Sequence, residues 1–406
     1  MDLQADLLDR FISYVKIDTR TNLANAGKVY PTCPNQLALA KMLAEELKGL
    51  GLEVYNDDKA FVIAHLKANS GTDNPIAFMA HLDTAEDVTA TNVSPQVYKN
   101  YDGKAIKLKN NIIIDPAADP YLGKYSGDTI ITADGTTLLG ADDKAGIAAI
   151  MTAIKYLVNN PHIKHNGIEA VFTPDEEGGN GMANFPLDKL RSKTAYTLDG
   201  DELGYLEYEC YNGSYAMINF KGVPIHPGTA RGKMVNALSM AAAFINLIPR
   251  SESPEATDGY YGCYWPQELK GHTEQATLEV ILRDHNAAEI ERRAAALHSF
   301  AAAVEAAFPH GKITVELKEE YRNMREAIEK QPEVMQNLLN AVKKVGVTPI
   351  IKPIRGGTDG AKLTALGVPC PNIFTGGHNF HGYWEWLSLS SLEKACLVVI
   401  ELVKGE

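Results

Sequence analysis

The segment 75-PIAFMAHLDTAEDV-88 holds an apolar run, Ile76 to Ala80, short enough for a buried strand, and the run ends in His81 and Asp83. Two residues apart on an extended chain, these side chains face the same way. An imidazole and a carboxylate at the C-terminal edge of a strand stand where open α/β sheets carry their sites. The pair gains weight from the later chain, where three acidic clusters and a late histidine recur in the same setting.

Before this segment, Leu3, Leu7, Leu8, Phe11, Ile12 and Val15 form a helical stripe, and Leu37 to Leu50 reads as a second helix stopped near Gly49 and Gly51. The stretch 60-AFVIAHL-66 reads as a strand. Further on, residues 87–137 turn polar, with Asp102-Gly103, Asp115-Pro116, Asp119-Pro120 and Asp134-Gly135 as turn signals around short β-prone pieces. This region is expected to be a β-rich excursion from the main sheet. Then 138-LLGADDKAGIAAIMTAIKYLV-158 switches to a long Ala/Ile/Leu helix. Both 167-GIEAVFTPDEEGG-179 and 194-TAYTLDG-200 repeat the design of a strand followed by acidic residues. The alternation predicts an α/β fold, a mixed sheet with flanking helices, with acidic groups at strand ends.

Residues 208–322 read as a separate unit. The order strand, helix, two strands, helix, strand predicts an antiparallel α+β layer inserted into the first domain. The catalytic domain is thus expected in two parts, 1–207 and 323–406, around the insertion.

At 406 residues the chain suits two domains or three, and 45% apolar with 22% charged residues is ordinary for a protein with a real core. A formal charge of −12, with no basic cluster to offset it, argues against nucleic acid as the partner. The five cysteines are scattered, with no C-x-x-C pair, which points to a reducing compartment. No run reaches 18 apolar residues and the start lacks a basic-then-apolar leader, so no membrane span and a cytoplasmic location are expected.

The imidazoles and carboxylates at the strand ends are His81, Asp83, Asp142, Asp143, Glu176, Glu177, Asp199 and His381. Mixed nitrogen and oxygen donors without cysteine suit zinc or another borderline divalent ion, more often in catalytic than in structural sites. So many carboxylates on one face need cations between them, and two ions roughly 3.5–4 Å apart can share one carboxylate. Asp142, after the Gly140-Ala141 bend and at a helix start, is the choice for that bridge. The plainer alternative is that Asp142 or Asp143 only caps the helix. Glu176-Glu177 can divide the labour, Glu177 on metal and Glu176 as general base and then acid, although such a pair can equally be a solvated turn. Asp83 can orient His81 from behind. His378 and His381 bracket the same Gly-rich loop, and spacing does not choose between them. His226, in a rigid Ile225-His226-Pro227-Gly228 turn, belongs to the inserted unit and would act by domain closure or from another subunit. Arg283 and Arg355 are fork-shaped donors suited to a substrate carboxylate, or else partners in salt bridges.

Together, H-L-D-T at 81–84, L-L-G-A-D-D-K-A-G at 138–146, T-P-D-E-E at 173–177, T-L-D-G at 197–200, I-H-P-G-T-A-R at 225–231 and the late G-x-H-x-x-H-G resemble metallopeptidase family M20, and within it the tripeptide aminopeptidase branch. The resemblance spans nearly the whole chain. It implies two zinc ions per subunit, with manganese or cobalt able to substitute. One would be held by His81 and Asp199, the other by Glu177 and His381, with Asp142 bridging. It makes Asp83 and Glu176 the catalytic pair, and His226, Arg283 and Arg355 the substrate-binding residues. It further implies that 208–322 is a lid or dimerisation domain of a homodimer. The implied reaction is release of the N-terminal residue of a tripeptide by a water or hydroxide bridging the two zinc ions. A dipeptidase or an N-acyl amino acid amidohydrolase of the same family is the alternative.

Overall fold

The computed structural model describes residues 2–404. They fall into two compact units, one of residues 2–208, 326–352 and 362–404, the other of residues 209–325 and 353–361.

The first unit is built on an eight-stranded mixed sheet. Its strands run in the order Glu53–Asn56, Val62–Leu66, Ile168–Thr173, Ile76–His81, Ala195–Gly200, Asn372–Phe374, Tyr205–Glu207 and Ile350–Ile351. Ile76–His81 lies in the middle, parallel to Ile168–Thr173 on one side and Ala195–Gly200 on the other. Its continuous apolar run reflects burial on both faces. Phe78 and Ala80 join the larger core, while Ala77 and Met79 join a smaller one with Ile63, Val171 and Cys370. Phe78 stacks on Tyr196 of the neighbouring strand, with ring centroids 5.9 Å apart. Because these strands are parallel, His81, the 174–177 turn and Asp199 all come out at one sheet edge.

Helices Leu3–Val15, Ala141–Asn159 and Leu389–Val403 pack over the larger core. Ile147, Ile150, Met151 and Ile154 are fully buried, which accounts for the lack of a polar stripe in that middle helix. Expected from residue 138, it begins at Ala141, and Asp142 and Asp143 keep non-helical backbone angles.

Residues 87–137 contribute strands Gln96–Tyr98 and Ile130–Thr132 to a four-stranded sheet, which is completed by Trp386–Ser388 and Gly377–His378 from the end of the chain. A satellite core of Tyr101, Ile106, Ile114, Leu122, Tyr125 and Ile130 closes around Trp386.

In the second unit an antiparallel sheet runs in the order Cys263–Gly271, Gln275–Asp284, Asn212–Lys221, Lys312–Tyr321. Helices Ala237–Ile245 and Ala287–Ala307 cover one face through Phe220, Phe244, Leu278 and Leu297. Ala216, Ile218 and Phe220 alternate into that core, the two-residue period of a sheet covered on one side.

Candidate metal centre

Two triplets of side chains converge at the edge of the first unit's sheet, and Asp142 belongs to both. His81, Asp142 and Asp199 form one; Asp142, Glu177 and His381 form the other; within each, the donor atoms lie within 4.8 Å of one another. The Asp142 oxygens are divided between the two imidazoles. Oδ1 lies 2.7 Å from His81 Nε2 and Oδ2 lies 3.2 Å from His381 Nε2. Asp199 Oδ1 is 3.6 Å from His81 Nε2, and Glu177 Oε1 is 3.1 Å from His381 Nε2.

Each donor is aimed by its own backbone. His81 ends its strand, and its N–H donates to Asp143 Oδ2 at 3.1 Å. Its Nδ1 lies 3.3 Å from Asp83 Oδ1, so the carboxylate stands behind the ring while Nε2 faces the cluster. Asp83 is fully buried and does more than orient that ring. It accepts the Glu176 N–H at 3.0 Å and the Glu177 N–H at 3.1 Å, and takes a hydrogen bond from the Thr21 hydroxyl. One carboxylate therefore fixes both the imidazole and the acidic turn. Asp175, also buried, secures the same turn through the Thr32 N–H and the Gln36 amide, each at 2.8 Å.

Asp142 stands in the first turn of the helix, but with non-helical backbone angles. Asp143, not Asp142, is the capping residue, since its Oδ1 accepts the Gly146 N–H at 3.1 Å. The N–H groups of Leu139, Gly140, Ala141 and Asp142 all go to Glu385. The Asp142 carboxylate itself faces the two histidines.

His378 and His381, which spacing leaves equivalent, are separated by the fold. His378 is buried and stacked on Trp386 with ring centroids 4.0 Å apart, and its Nε2 lies 3.0 Å from Glu202. His381, at φ 63°, projects to Asp142 and Glu177, and its Nδ1 lies 3.2 Å from Asp87.

The residues fit a pair of divalent cations. Four acidic side chains, Asp142, Asp143, Glu177 and Asp199, crowd two imidazoles. Glu177 Oε1 is buried without a well-aligned hydrogen-bond donor among the described residues. Burial opposes charge on every member of the cluster. The His81 ring is nevertheless held well above its ordinary range by Asp142, Asp199 and Asp83, and His381 is raised to about 11 by Asp142 and Glu177. Asp142 is held far below the carboxylate range by the same imidazoles, while burial and the Asp142 charge push Glu177 up to about 7. The cluster demands more positive charge than two rings supply, and nitrogen and oxygen donors in triplets sharing one carboxylate suit zinc-like ions.

The three expected substrate-binding residues lie in the second unit. His226 is exposed, and its Nδ1 accepts the Gly228 N–H at 3.1 Å. Arg283 pairs with Glu320 at 2.8 Å and lies over the Tyr321 ring. Arg355 donates to the carbonyls of Gly259, Tyr261 and Thr257, each at 3.1 Å, and lies over the Tyr211 ring.

Sequence reasoning missed Glu385, Thr21 and Asp175. Glu385 sits only four residues beyond His381 and is flanked by tryptophans, but its partners are some 245 positions away.

The chain is similar throughout to Peptidase T of Clostridium perfringens, 45% identical over 398 residues, 98% of each chain. In fold it resembles a tripeptidase from Staphylococcus aureus, with a TM-score of 0.78 and 22% identity over 99% of this chain and 98% of that one. It also resembles a dinuclear metal-binding peptidase of the M20 family from Bacillus subtilis, with a TM-score of 0.66 and 13% identity over 98% and 97%. The model of peptidase family M20/M25/M40 matches residues 132–405. With that match and a full-length relative at this identity, the chain belongs to peptidase family M20/M25/M40.

Proposed function

We propose that this protein is a tripeptide aminopeptidase that works with two divalent cations, zinc by the chemistry of the donors. The observation that carries the reading is the pair of donor triplets sharing Asp142. Full-length similarity to Peptidase T supports the choice of substrate. His81 and Asp199 would hold one cation, Glu177 and His381 the other, and Asp142 both. When bound, the cations supply Lewis acidity toward the scissile carbonyl and make water nucleophilic near neutral pH.

The remaining chemistry belongs to the chain. Glu176 takes the proton of the attacking water as the C–O bond forms, and returns it to the departing amine as the amide C–N bond then breaks. Asp83 holds the Glu176 backbone through the hydrogen bond to its N–H, and keeps His81 oriented. His226 is assigned to the scissile carbonyl, and Arg283 and Arg355 to the peptide carboxylate and backbone. The second unit, residues 208–322 in the sequence reading, serves as lid and dimerisation domain of a homodimer. Exposed Trp265, Leu269 and Leu317 on its outer strands support a protein-facing role. No helix among the described residues is long and apolar enough to cross a membrane, and a cytoplasmic location is part of the proposal.

The test is turnover of Ala-Ala-Ala beside Ala-Ala and N-acetylated substrates, with a cation titration of the same preparation. Release of the first residue from the tripeptide alone is expected; preference for a dipeptide or an N-acyl amino acid would replace this reading with another hydrolase of the family. Glu176→Ala is expected to bind both cations and turn over at least about a hundredfold more slowly. Loss of a cation in that variant would reassign Glu176 as a ligand.

A further inference from the structure

Glu385 is 1% exposed and spends both carboxylate oxygens on one turn of backbone. Oε2 accepts the N–H groups of Leu139 at 2.7 Å and Gly140 at 2.9 Å. Oε1 accepts those of Ala141 at 2.6 Å and Asp142 at 3.4 Å. Backbone N–H groups in a buried turn that no helix or strand ladder satisfies need a partner from elsewhere. Here all four are met by a single side chain, and the last belongs to Asp142 itself. Gly140, at φ 83°, turns the backbone so that successive N–H groups can converge.

The origin of this carboxylate matters as much as its target. Glu385 lies in the loop that carries His381, between strands Gly377–His378 and Trp386–Ser388. That loop is anchored on its other side, where Trp386 Nε1 donates to Asp119 at 2.7 Å and Trp386 packs on Tyr125 and His378. His381 and Asp142 come from stretches far apart in the chain, yet both must address the same cation. A carboxylate on the His381 loop that grips the Asp142 turn sets the distance between them.

We propose that Glu385 is a positioning residue of the metal centre, clipping the Leu139–Asp142 turn to the His381 loop so that the bridging carboxylate and the second imidazole stay in register. The inference rests on the two-cation reading of the proposed function. A carboxylate that only capped the helix would contribute to stability and leave cation binding alone.

The test uses full-length protein, stripped of metal and titrated with Co²⁺ by calorimetry and by its visible absorption. Wild type is expected to bind two equivalents. Glu385→Gln keeps the volume but turns an amide N–H₂ toward backbone donors. It is expected to melt cooperatively without metal, to bind at least one Co²⁺ about tenfold to a hundredfold more weakly, and to show altered absorption bands. Its kcat should fall while KM for the tripeptide changes less than about threefold, the pattern of an interaction that matters in the transition state. If this variant does not fold, Glu385→Asp, which keeps the charge on a shorter stem, takes its place with the same expectations. Hydrogen exchange of metal-free wild type gives an independent check, with slow exchange expected at amides 139–142. Wild-type Co²⁺ affinity and spectrum in a folded variant, or unprotected amides 139–142, would overturn the clip while leaving the metal centre standing. A wild type that binds fewer than two Co²⁺ would overturn the centre, and the clip with it.

Discussion

Asp83 connects the most chemistry through the fewest atoms. Its two oxygens serve an imidazole, two successive backbone N–H groups and a threonine hydroxyl, all away from solvent. Asp83→Asn places an amide N–H₂ where only acceptors fit, so a buried donor is left unpaired. The variant is expected to lose about tenfold to a hundredfold in cation affinity, by calorimetry, with kcat reduced at least about tenfold in steady-state assays. The two late histidines make a paired prediction. His381→Ala should bind one cation fewer than wild type, whereas His378→Gln should bind both and lose thermal stability, because His378 is packed against Trp386 and Tyr121. Mass spectrometry under native conditions counts the cations in each.

Among the elements, the helix Ala141–Asn159 and the strand Ala195–Gly200 are held closest. A Cβ on Gly146 would fall 2.2 Å from the Leu198 carbonyl oxygen and 2.5 Å from Asp143 Oδ1. Gly146→Ala must therefore push the helix off the strand that carries Asp199, at a cost of about 1–3 kcal/mol. Denaturant unfolding of the metal-free protein measures that cost. Elements of this kind were legible in the sequence wherever one local pattern decided them. The run Ile76–Ala80 is apolar without a break because both of its faces are covered, and acidic residues after strands mark a sheet edge. What was not legible depends on long-range pairing. Nothing local says that Asp143 rather than Asp142 caps the helix, since the choice turns on His81 and His381, distant in the chain, facing the Asp142 carboxylate. His378 and His381 have equal standing in the sequence until Trp386 stacks on one of them. Thr21 and Thr32, between the first two helices, secure Asp83 and Asp175, and no local pattern marks them.

For the whole molecule, cations and protons should both move stability. Under the two-cation reading the assembled triplets bind cations and the unfolded chain does not, so a chelator is expected to lower the melting temperature, and added metal to restore it. Two histidines, one buried and one half-buried, set a separate dependence on pH. Burial holds both His165 and His285 below the ordinary 6.5. His165 Nδ1 accepts the Gly167 N–H, and His285 is wedged against Tyr211 and Tyr260. At these two sites the unfolded chain then binds more protons than the folded one below about pH 6.5. Their contribution is intact above that value and is lost as pH falls through it toward the folded pKa values. Denaturation midpoints at about pH 7.5 and 5.5 should lie closer together in His165→Gln/His285→Gln than in wild type.

The strand Trp386–Ser388 has a consequence for how this protein is made. It inserts between Ile130–Thr132, synthesised some 250 residues earlier, and Gly377–His378 just before it. A chain still on the ribosome cannot complete that small sheet until residues 386–388 emerge, and the pairing then closes a very long loop. Hydrolytic competence therefore waits for residues 377–388, and a nascent chain cannot cut peptides before they have been made.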